Sequence, residues 1–547
     1  MDHSAGDSIG SLAQTRTGRL PMVLLFLMTL VSILGARIFG ASDLYDKDQS
    51  KTIGYTADVV LNGRWLLPRD TLNQGATKPP LYNWVGGLAV MATGRWDEFV
   101  LKLPSVLAGL AILVMIARWG RRVATCEGGL LAAMIWLTSY PAMRQIYLAR
   151  PDMLLCAFLM GAWVSATVAM QRERAWGWAL AFWICVAGAT LTKGPAALLP
   201  LLYVIFASKL IYGRFATLNR LSWWWGLALL AGLVLAWFMP ALLRYREHVW
   251  EVMIRGEITR RITEGGPERI TVPAYQMFVW FIKDFTPWSL LVLLALLVTR
   301  RWMMHPLGPA ILWLLLGLLF FSCSGGKRAD YLAPLYPQAS IIAGVWLIGA
   351  LAQLRVPAWR LGAVPALIAL AMSISHIKHS RDAMVPHSNN IKAFALECRK
   401  IVGNDRMVFL VSGYHPFLPL MGRHDGNDPS LKNLLRAKWV VCLKKPFWTP
   451  VIESGQVADA YRNNPAPLAL YKMNGTWTQQ EQLKSIYYHV KGLNYTGNPT
   501  TLPGSIAPRV WELPTPPAPS KSPSPLPSPG VPGEGERGVP GEGVEAP

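Results

Sequence analysis

Long apolar runs separated by short polar segments recur along the chain as far as about residue 377. A helix needs about 20 apolar residues to cross the hydrocarbon core of a bilayer, and most of these runs reach or approach that length. The pattern therefore predicts an all-α polytopic membrane domain with about 11–13 transmembrane helices. We expect spans over residues 20–39, 101–118, 127–143, 151–170, 177–192, 194–210, 222–243, 278–299, 307–324, 332–354 and 360–377.

Basic clusters in the short loops predict the orientation of these spans. With a cytoplasmic N-terminus, the inside loops carry the clusters Arg118–Arg122, Arg172–Arg174, Lys209–Arg220, Arg300–Arg301 and Arg355, as the positive-inside rule requires. The apolar run from Pro80 to Thr93 is too short for a comfortable span, so we interpret it as a re-entrant or interfacial helix on the outer face. A full crossing, with one further helix to restore the register, is the alternative.

Composition agrees with a multi-pass membrane protein. The chain has 547 residues, of which 52% are hydrophobic and only 16% are charged, which excludes an ordinary soluble domain. The formal net charge of +21 does not indicate nucleic-acid binding, because the Lys and Arg residues form small groups between apolar runs. The bilayer, and not nucleic acid, is the partner that this charge pattern predicts.

The pattern changes after residue 377. Residues 389–402 read as an amphipathic helix, and residues 406–413, 437–445 and 468–474 read as strands, which predicts a small α/β extracytoplasmic domain. The proline- and glycine-rich tail cannot bury a core and should be disordered. The expected domains are a cytoplasmic N-terminus at 1–19, a transmembrane domain at 20–377, the α/β domain at 378–512 and the disordered tail at 513–547.

The predicted orientation gathers charged residues on the outer face, among them Lys78, Lys193, Lys327, Asp48 and Asp152. Each has a plainer interpretation by itself, since a lysine can extend to the headgroups and an aspartate can favour a helix N-terminus. Together, however, cations at the bilayer surface can bind a phosphate, and a neighbouring carboxylate can accept a proton from a hydroxyl nucleophile. The set favours a lipid-linked phosphate as substrate.

Seven short motifs occur in a fixed order, namely D-x-x-K, G-R-W-L-L-P, T-K-P-P-L-Y-N-W, A-R-P-D-M-L-L, L-T-K-G-P, F-T-P-W-S-L-L and F-S-C-S-G-G-K-R-A-D-Y-L-A-P-L-Y-P. In this order they resemble bacterial GT-C glycosyltransferases, first the lipid A aminoarabinose transferases and more distantly the protein O-mannosyltransferases. The resemblance covers about residues 20–377. It implies an inverting enzyme of the inner membrane that moves a sugar from a polyprenyl-phosphate carrier to lipid A, a glycan, a lipid or a protein at the outer face.

The resemblance also implies roles for individual residues. Asp48 stands at the family's candidate general base, and Asp152 matches its second acidic residue. Lys78 matches the lysine that holds the carrier phosphate in the family. Further implied phosphate ligands are Lys51, which replaces an arginine, and Arg260 and Tyr331, beside the cations Lys193 and Lys327.

Two positions depart from the family pattern. Thr77 replaces the glutamate before K-P-P, and Glu257 stands where we align the family's histidine. In the aminoarabinose transferases that glutamate and histidine hold a divalent metal. Their loss argues against a metal site here, so we expect no firm cofactor.

Two other functions use the same residue types. A transporter or flippase for lipid-linked sugar would need the same cations and an apolar groove, although transporters more often show internal repeats and charges at mid-span. A non-catalytic relative would only bind the carrier lipid. Release of polyprenyl phosphate that depends on an acceptor distinguishes both from a transferase.

Overall fold

The computed structural model describes residues 19–40, 47–70, 74–173, 175–259, 272–299, 301–352, 356–383, 391–403, 405, 407–410, 438–443, 450–457, 466–474, 479–480 and 482–483. By contacts the chain divides into two compact units, Met1–Gly475 and Thr476–Pro547. The helices and strands named below all belong to the first unit. Arg260, Arg355 and the predicted tail lie outside the described residues.

The described part of the first unit is mostly helical. Its first nine α-helices are α1 (Arg19–Phe39), α2 (Lys47–Asn62), α3 (Leu81–Thr93), α4 (Glu98–Val123), α5 (Cys126–Leu137), α6 (Tyr140–Gln145), α7 (Pro151–Gln171), α8 (Trp176–Lys193) and α9 (Leu198–Leu210). The remainder of the membrane part contains α10 (Trp223–Arg244), α11 (Gln276–Asp284), α12 (Trp288–Val298), α13 (Gly308–Ser322), α14 (Tyr336–Ala352) and α15 (Ala358–Ala383). A short helical turn, Arg246–His248, and a π-helix, Val249–Thr259, follow α10.

This is a multi-pass membrane protein. Within the described ranges, seven helices are long and apolar enough to cross a bilayer, or eight if one bent pair counts as a single span. The seven are Arg19–Phe39, Glu98–Val123, Pro151–Gln171, Trp176–Leu210, Trp223–Arg244, Ala329–Ala350 and Ala358–Lys378. The sequence-based number of 11 to 13 also counts shorter apolar helices such as α5 and α13, and it treats α8 and α9 as two spans.

The region predicted as one span over 278–299 is bent. Helices α11 and α12 meet at an angle of 116° across the break between Asp284 and Trp288. Pro287 supplies no backbone N–H to continue the first helix, and Asp284 and Thr286 place polar side chains at the break. The short apolar run after Pro80 forms a single helix, α3, whose bounds agree with the prediction to one residue.

Large aromatic side chains fill the core between the long helices. Trp163, Trp183 and Trp313 are each 1% exposed or less. Their indole N–H groups donate to backbone carbonyl oxygens, as when Trp163 donates to Pro309 at 3.2 Å and Trp313 to Pro334 at 3.2 Å. This pairing avoids the cost of about 1–3 kcal/mol that an unpaired N–H carries in an apolar interior.

A helix and a sheet follow the membrane part. Helix α16 (Ile391–Val402) precedes a four-stranded sheet made of β1 (Met407–Leu410), β2 (Trp439–Leu443), β3 (Ile452–Val457) and β4 (Ala466–Lys472). The sheet order is β1-β2-β4-β3, with β1 parallel to β2 and the other two pairs antiparallel. Strand β3 was not expected from the sequence.

Helix α16 joins the core of the membrane part on one side. Phe394 and Cys398 belong to one cluster of buried residues with Ile53 and Ala57 of α2. Arg399 Nη1 donates to the Trp96 carbonyl oxygen at 2.7 Å. The helix that carries Asp48 therefore shares its core with a segment that lies far later in the chain.

Candidate active site

An irregular segment, residues 146–150, lies at the centre of the site and is held in place by side chains from several helices. Gln49 of α2 accepts a hydrogen bond from the Ala149 backbone N–H at 2.9 Å. Ser105 of α4 donates to the Leu148 carbonyl oxygen at 2.6 Å. Tyr82 of α3 also reaches that oxygen, at 3.3 Å. These contacts fix non-helical backbone inside the helical domain, where its polar groups need partners.

The sequence Arg150-Pro151-Asp152 sets the start of α7. Pro151 occupies the first helical position and forces the preceding residue into extended geometry, and Arg150 accordingly has φ −139° and ψ 146°. Asp152 then falls in the first helical turn, where the helix dipole favours a negative charge. The two charged side chains leave the backbone next to each other, and their exposed fractions are 9% for Arg150 and 7% for Asp152.

Arg150 is shared by three carboxylates. Its guanidinium Nη2 lies 3.0 Å from Oδ2 of Asp48 and 3.4 Å from Oδ2 of Asp330, and its Nε lies 3.4 Å from Oδ2 of Asp152. Asp330 also lies 3.6 Å from Nη1 of Arg144. We call Asp48, Arg150, Asp152 and Asp330 the Arg150 cluster. Three segments far apart in the chain thus meet at one guanidinium.

Lys193 closes the cluster from another side. It ends α8, since Gly194 adopts φ +67° and the chain turns there into a short 3₁₀ segment before α9. Only glycine adopts such a left-handed conformation at little steric cost. The Lys193 ammonium pairs with Oδ1 of Asp152 and lies 5.5 Å from the centre of the Tyr331 ring. The apolar run 176–210 is therefore interrupted at the point where a cation is presented.

Lys78 enters the site on the loop between α2 and α3. The loop is well anchored: Trp84 Nε1 donates to the Trp65 carbonyl oxygen at 2.7 Å, and the Ala76 N–H donates to the Pro68 carbonyl oxygen at 2.8 Å. Lys78 lies close enough to both Asp48 and Asp152 to interact with them electrostatically. Its position is thus set by hydrogen bonds to backbone carbonyl oxygens from residues on both sides of Pro79.

The charges at Asp48 combine to keep this carboxylate ionised. Burial opposes ionisation of Asp48, but the positive charges of Arg150, Lys78 and Arg328 outweigh it. The pKa of Asp48 therefore lies below the usual value for an aspartate. Arg328 contributes from a more exposed position, 3.9 Å from Oδ2 of Asp48.

A cavity of about 550 Å³ opens beside the cluster. Its polar wall includes Lys78, Asp152, Lys193, Asp330 and Tyr331. Most of its remaining wall is apolar and includes Leu155, Trp237, Phe238, Phe320 and Phe321. This combination suits a ligand with a long apolar portion and an anionic group, because cations lie at one end of an otherwise apolar cavity.

Comparison with known proteins agrees with this geometry. Residues 77–243 match the family of dolichyl-phosphate-mannose-protein mannosyltransferases. The chain is 24% identical, over 62% of its length, to the undecaprenyl phosphate-α-4-amino-4-deoxy-L-arabinose arabinosyl transferase of Shewanella sediminis, and 25% identical over 65% of its length to that of Enterobacter sp.. The matches span 61% and 65% of the two relatives, so less than two thirds of either is covered.

A solved structure extends the match to most of the fold. The crystal structure of ArnT from Cupriavidus metallidurans bound to undecaprenyl phosphate superimposes with a TM-score of 0.65 at 17% identity, over 82% of this chain and 97% of that one. The chain shares the fold of this ArnT structure. The predicted resemblance to GT-C glycosyltransferases is thereby confirmed.

This fold brings several of the predicted residues together. Lys78, Asp152, Lys193 and Tyr331 line the cavity. Asp48 is not among the described residues that line the cavity. Its carboxylate pairs with Arg150, which also pairs with the cavity residues Asp152 and Asp330. Two expected ligands do not line the cavity: Lys51 is half-buried further along α2, and Lys327 is half-buried in the turn before Arg328. Arg260 lies outside the described residues.

Besides Arg328, three charged residues of the site had no predicted role. Arg150 was visible in the sequence only as part of A-R-P-D, Arg144 lay just beyond a predicted span, and Asp330 followed the Lys327-Arg328 pair. Charged residues at or near the ends of apolar runs were the available signal, because such residues are costly in a membrane unless they are paired. Their convergence on one point needs the fold.

The residues present do not fit the metal that the resemblance implies. Within the described ranges, no group of three or more His, Cys, Asp or Glu side chains is arranged to hold a metal ion. The chain has a Glu-His pair, Glu247–His248, shortly before the stretch that we aligned, but Nε2 of His248 lies 3.0 Å from the Ala76 carbonyl oxygen. Thr77 stands where the family has its glutamate. Metal-independent transfer stays a prediction.

Proposed function

We propose that this protein is an inverting membrane glycosyltransferase, which moves a sugar from a polyprenyl-phosphate carrier to an acceptor hydroxyl. The observation that carries the proposal is the cavity of about 550 Å³, whose apolar walls end at the cations Lys78 and Lys193 beside the Arg150 cluster. A soluble sugar nucleotide has little apolar surface to bury against these walls, whereas an isoprenoid chain would bury much of its surface there.

The donor phosphate binds at the cationic end of the cavity. Lys78 and Lys193 line the cavity and can each donate to a phosphate oxygen, and a charge-assisted hydrogen bond of this kind contributes about 1.5–3 kcal/mol. Tyr331 stands beside Lys193 and can donate its phenol. Arg260, Lys51 and Lys327 are proposed as further contacts of the carrier on the strength of the family motifs alone.

The chemical step transfers one proton and one glycosyl group. The acceptor oxygen forms a bond to the anomeric carbon while the bond from that carbon to the carrier phosphate oxygen breaks, with inversion. Asp48 accepts the hydroxyl proton, and the electron pair of the broken bond stays on the departing polyprenyl phosphate. That phosphate gains negative charge in the transition state, so Lys78 stabilises it there more than in the ground state.

Asp152 and Asp48 take different parts in this step. Asp152 is almost fully buried and pairs with both Arg150 and Lys193, so its negative charge orients two cations. Asp48 has a third of its side chain exposed and a lowered pKa, so it is ionised at neutral pH and reachable by a substrate. We therefore keep Asp48 as the general base and assign Asp152 to holding the cations.

The membrane arrangement is proposed from the basic loops. Residues 1–19 are cytoplasmic, residues 20–377 form the GT-C domain of the inner membrane, and residues 378–512 form an extracytoplasmic domain ahead of the proline- and glycine-rich tail at 513–547. The acceptor, whether lipid A, a glycan, another lipid or a protein, is met at the outer face. Reporters fused near Arg121 and after Ile377 must report opposite sides, and the same side for both would refute the orientation.

A reconstituted assay tests the proposed reaction. The purified full chain is placed in vesicles with undecaprenyl phosphate aminoarabinose, labelled in the sugar, and with lipid A; parallel reactions use polyprenyl-phosphate mannose as donor. We expect the label to pass to an acceptor with equal release of polyprenyl phosphate, and Asp48→Asn to lower both strongly. Asp97→Asn is the matched control, since Asp97 caps α4 through the Val100 N–H away from the cavity, and asparagine caps equally well.

Two outcomes of the assay would overturn the proposal. Label that crosses the bilayer while the donor stays intact would indicate a transporter or flippase. Donor that binds without crossing or reacting in any acceptor mixture, including a total envelope lipid extract, would indicate a carrier-binding protein without catalysis.

A further inference from the structure

The loop that presents Lys78 is held from outside by α10 and the segment after it. Trp237 Nε1 donates to the Leu66 carbonyl oxygen at 2.9 Å. His248 lies further along the same stretch, and its Nε2 is 3.0 Å from the Ala76 carbonyl oxygen. Trp237 also lines the cavity, together with Met253 and Ile254. The same stretch of chain therefore forms part of the cavity wall and is hydrogen-bonded to the loop that presents Lys78.

The contact of His248 with the loop is tight. A Cβ atom added at Gly75 would lie 2.7 Å from Cε1 and 2.8 Å from Nε2 of the imidazole, which is closer than real Cβ contacts. Ala76 is 1% exposed and belongs to a buried cluster with Val249, the residue after His248. The imidazole fills the space that Gly75 leaves open, and a larger residue at position 75 would displace it.

The pinned carbonyl stands two residues before Lys78. The Ala76 N–H is bonded to the Pro68 carbonyl oxygen at 2.8 Å, so both backbone polar groups of Ala76 are fixed. Pro79 restricts the backbone on the far side of Lys78. The freedom left to Lys78 is then mainly that of its own side chain, and a fixed starting point reduces the entropy lost when it meets an anion.

We propose that His248 is a positioning residue, which holds the Ala76 carbonyl so that Lys78 is aimed at the phosphate of the donor. This inference rests on the proposed function for its kinetic consequence, but its structural part does not. The imidazole acts through Lys78 and does not touch the reacting atoms. The role requires a hydrogen on Nε2 of His248, because the Ala76 carbonyl oxygen can only accept.

Kinetics of four variants test the role. His248→Ala removes the donor, and His248→Gln keeps an N–H group. Gly75→Ala crowds the imidazole from the loop side. His305→Ala is the matched control, because His305 also meets a backbone group, the Leu307 N–H at 3.2 Å, in a loop outside the site.

We expect His248→Ala and Gly75→Ala to lower the single-turnover rate about 10- to 100-fold, since small misplacements of a binding group carry costs of that order. His248→Gln should recover a large part of the loss, and His305→Ala should change little. The effect of His248→Ala should nearly vanish in a Lys78→Ala background, because both changes remove the same interaction. A merely structural histidine would give additive losses and no rescue by glutamine, and either result overturns the proposal.

Hydrogen exchange separates this inference from the proposed function. In the substrate-free protein, His248→Ala should raise amide exchange at Ala76 and Lys78 by at least about 10-fold, while His248→Gln and His305→Ala leave it near wild type. If wild-type protein transfers no sugar but the variants show this exchange pattern, the positioning role of His248 is supported and the transferase proposal fails. Unchanged exchange in His248→Ala would overturn the positioning role of His248, even if the protein transfers sugar.

Discussion

Two groups of charges lie beside the same irregular segment, and they differ in kind. Lys102 and Glu98 face each other at 2.7 Å on one turn of α4, with side-chain exposures of 0% and 7%, and the ammonium lies 4.4 Å from the centre of the Tyr147 ring. Just beyond Tyr147 begins the Arg150 cluster, whose members come from separate segments and which borders the cavity.

The difference indicates which charges serve structure and which serve a ligand. The Glu98–Lys102 pair joins one cation to one anion within one helix, and neither residue lines the cavity described above. The Arg150 cluster has the additional cations Lys78, Lys193 and Arg328 around it, and two of these cations line a space large enough for a ligand. A surplus of positive charge beside a cavity is suited to an incoming phosphate.

The largest effect is expected at Asp48. Asp48→Asn keeps the shape of the side chain and removes the base, so the single-turnover rate should fall about 10²- to 10⁴-fold while donor affinity stays close to wild type. Rapid-quench measurement with bound donor gives the rate, and equilibrium binding gives the affinity. A variant that turns over normally would exclude Asp48 and make Asp152 or Asp330 the carboxylate to test next.

The Glu98–Lys102 pair should show the opposite behaviour. Lys102→Met leaves Glu98 buried without its partner on α4, which is expected to cost about 3–5 kcal/mol of stability, whereas changing both residues together to apolar ones should recover most of that loss. Donor affinity per folded molecule should not change. Thermal unfolding in detergent and donor binding measure the two quantities, and a lower affinity in the double variant would place the pair within the site after all.

Lys78 should affect both binding and chemistry. Lys78→Ala loses a charge-assisted contact, so donor affinity should fall about 10- to 100-fold, with a further loss in rate because the phosphate charge grows as the bond breaks. Lys78→Arg should be only partly active, since a planar guanidinium replaces a compact ammonium. Wild-type affinity and rate in Lys78→Ala would reduce Lys78 to a lysine that reaches the headgroups.

A pH effect should separate the two groups of charges further. Arg328 holds the pKa of Asp48 down, so Arg328→Ala should raise that pKa, and the acid side of the rate profile should move to higher pH. The stability from the ionised carboxylate is present above the pKa of Asp48 in the unfolded chain and is lost as pH falls through the lowered value in the folded one. Lys102→Met should leave the pH–rate profile unchanged. If Arg328→Ala does not shift this profile either, the result would argue against Asp48 as the titrating base.

The smallest effect is expected from chelation. Thr77 and His248 do not form a metal site with their described neighbours, so a chelator should change the transfer rate by less than about twofold. The measurement is initial rate before and after dialysis against chelator. Rescue of a chelated, inactive enzyme by zinc or magnesium would contradict it.

The sequence predicted the long spans well and the converging charges only in part. Helices such as Arg19–Phe39 and Pro151–Gln171 begin and end within one residue of the expected bounds, because a long apolar run has few alternatives in a bilayer. The bend between Asp284 and Trp288 was missed, since hydropathy averages over a local break. Lys78 and Asp152 were recognisable by motif, whereas Asp330 acquires meaning only beside Arg150, which lies in a distant part of the chain.

The shared core of α2 and α16 has a consequence for how the protein folds during its synthesis. Ile53 and Ala57 emerge from the ribosome early, but Phe394 and Cys398, which complete their cluster, follow only after all the membrane helices. At the usual synthesis rate of about 5–20 residues per second, that face of α2 stays incomplete for roughly 20–70 s. The helix that carries Asp48 reaches its final packing only when most of the chain has been made, so messages truncated before residue 391 should yield inserted but poorly assembled protein.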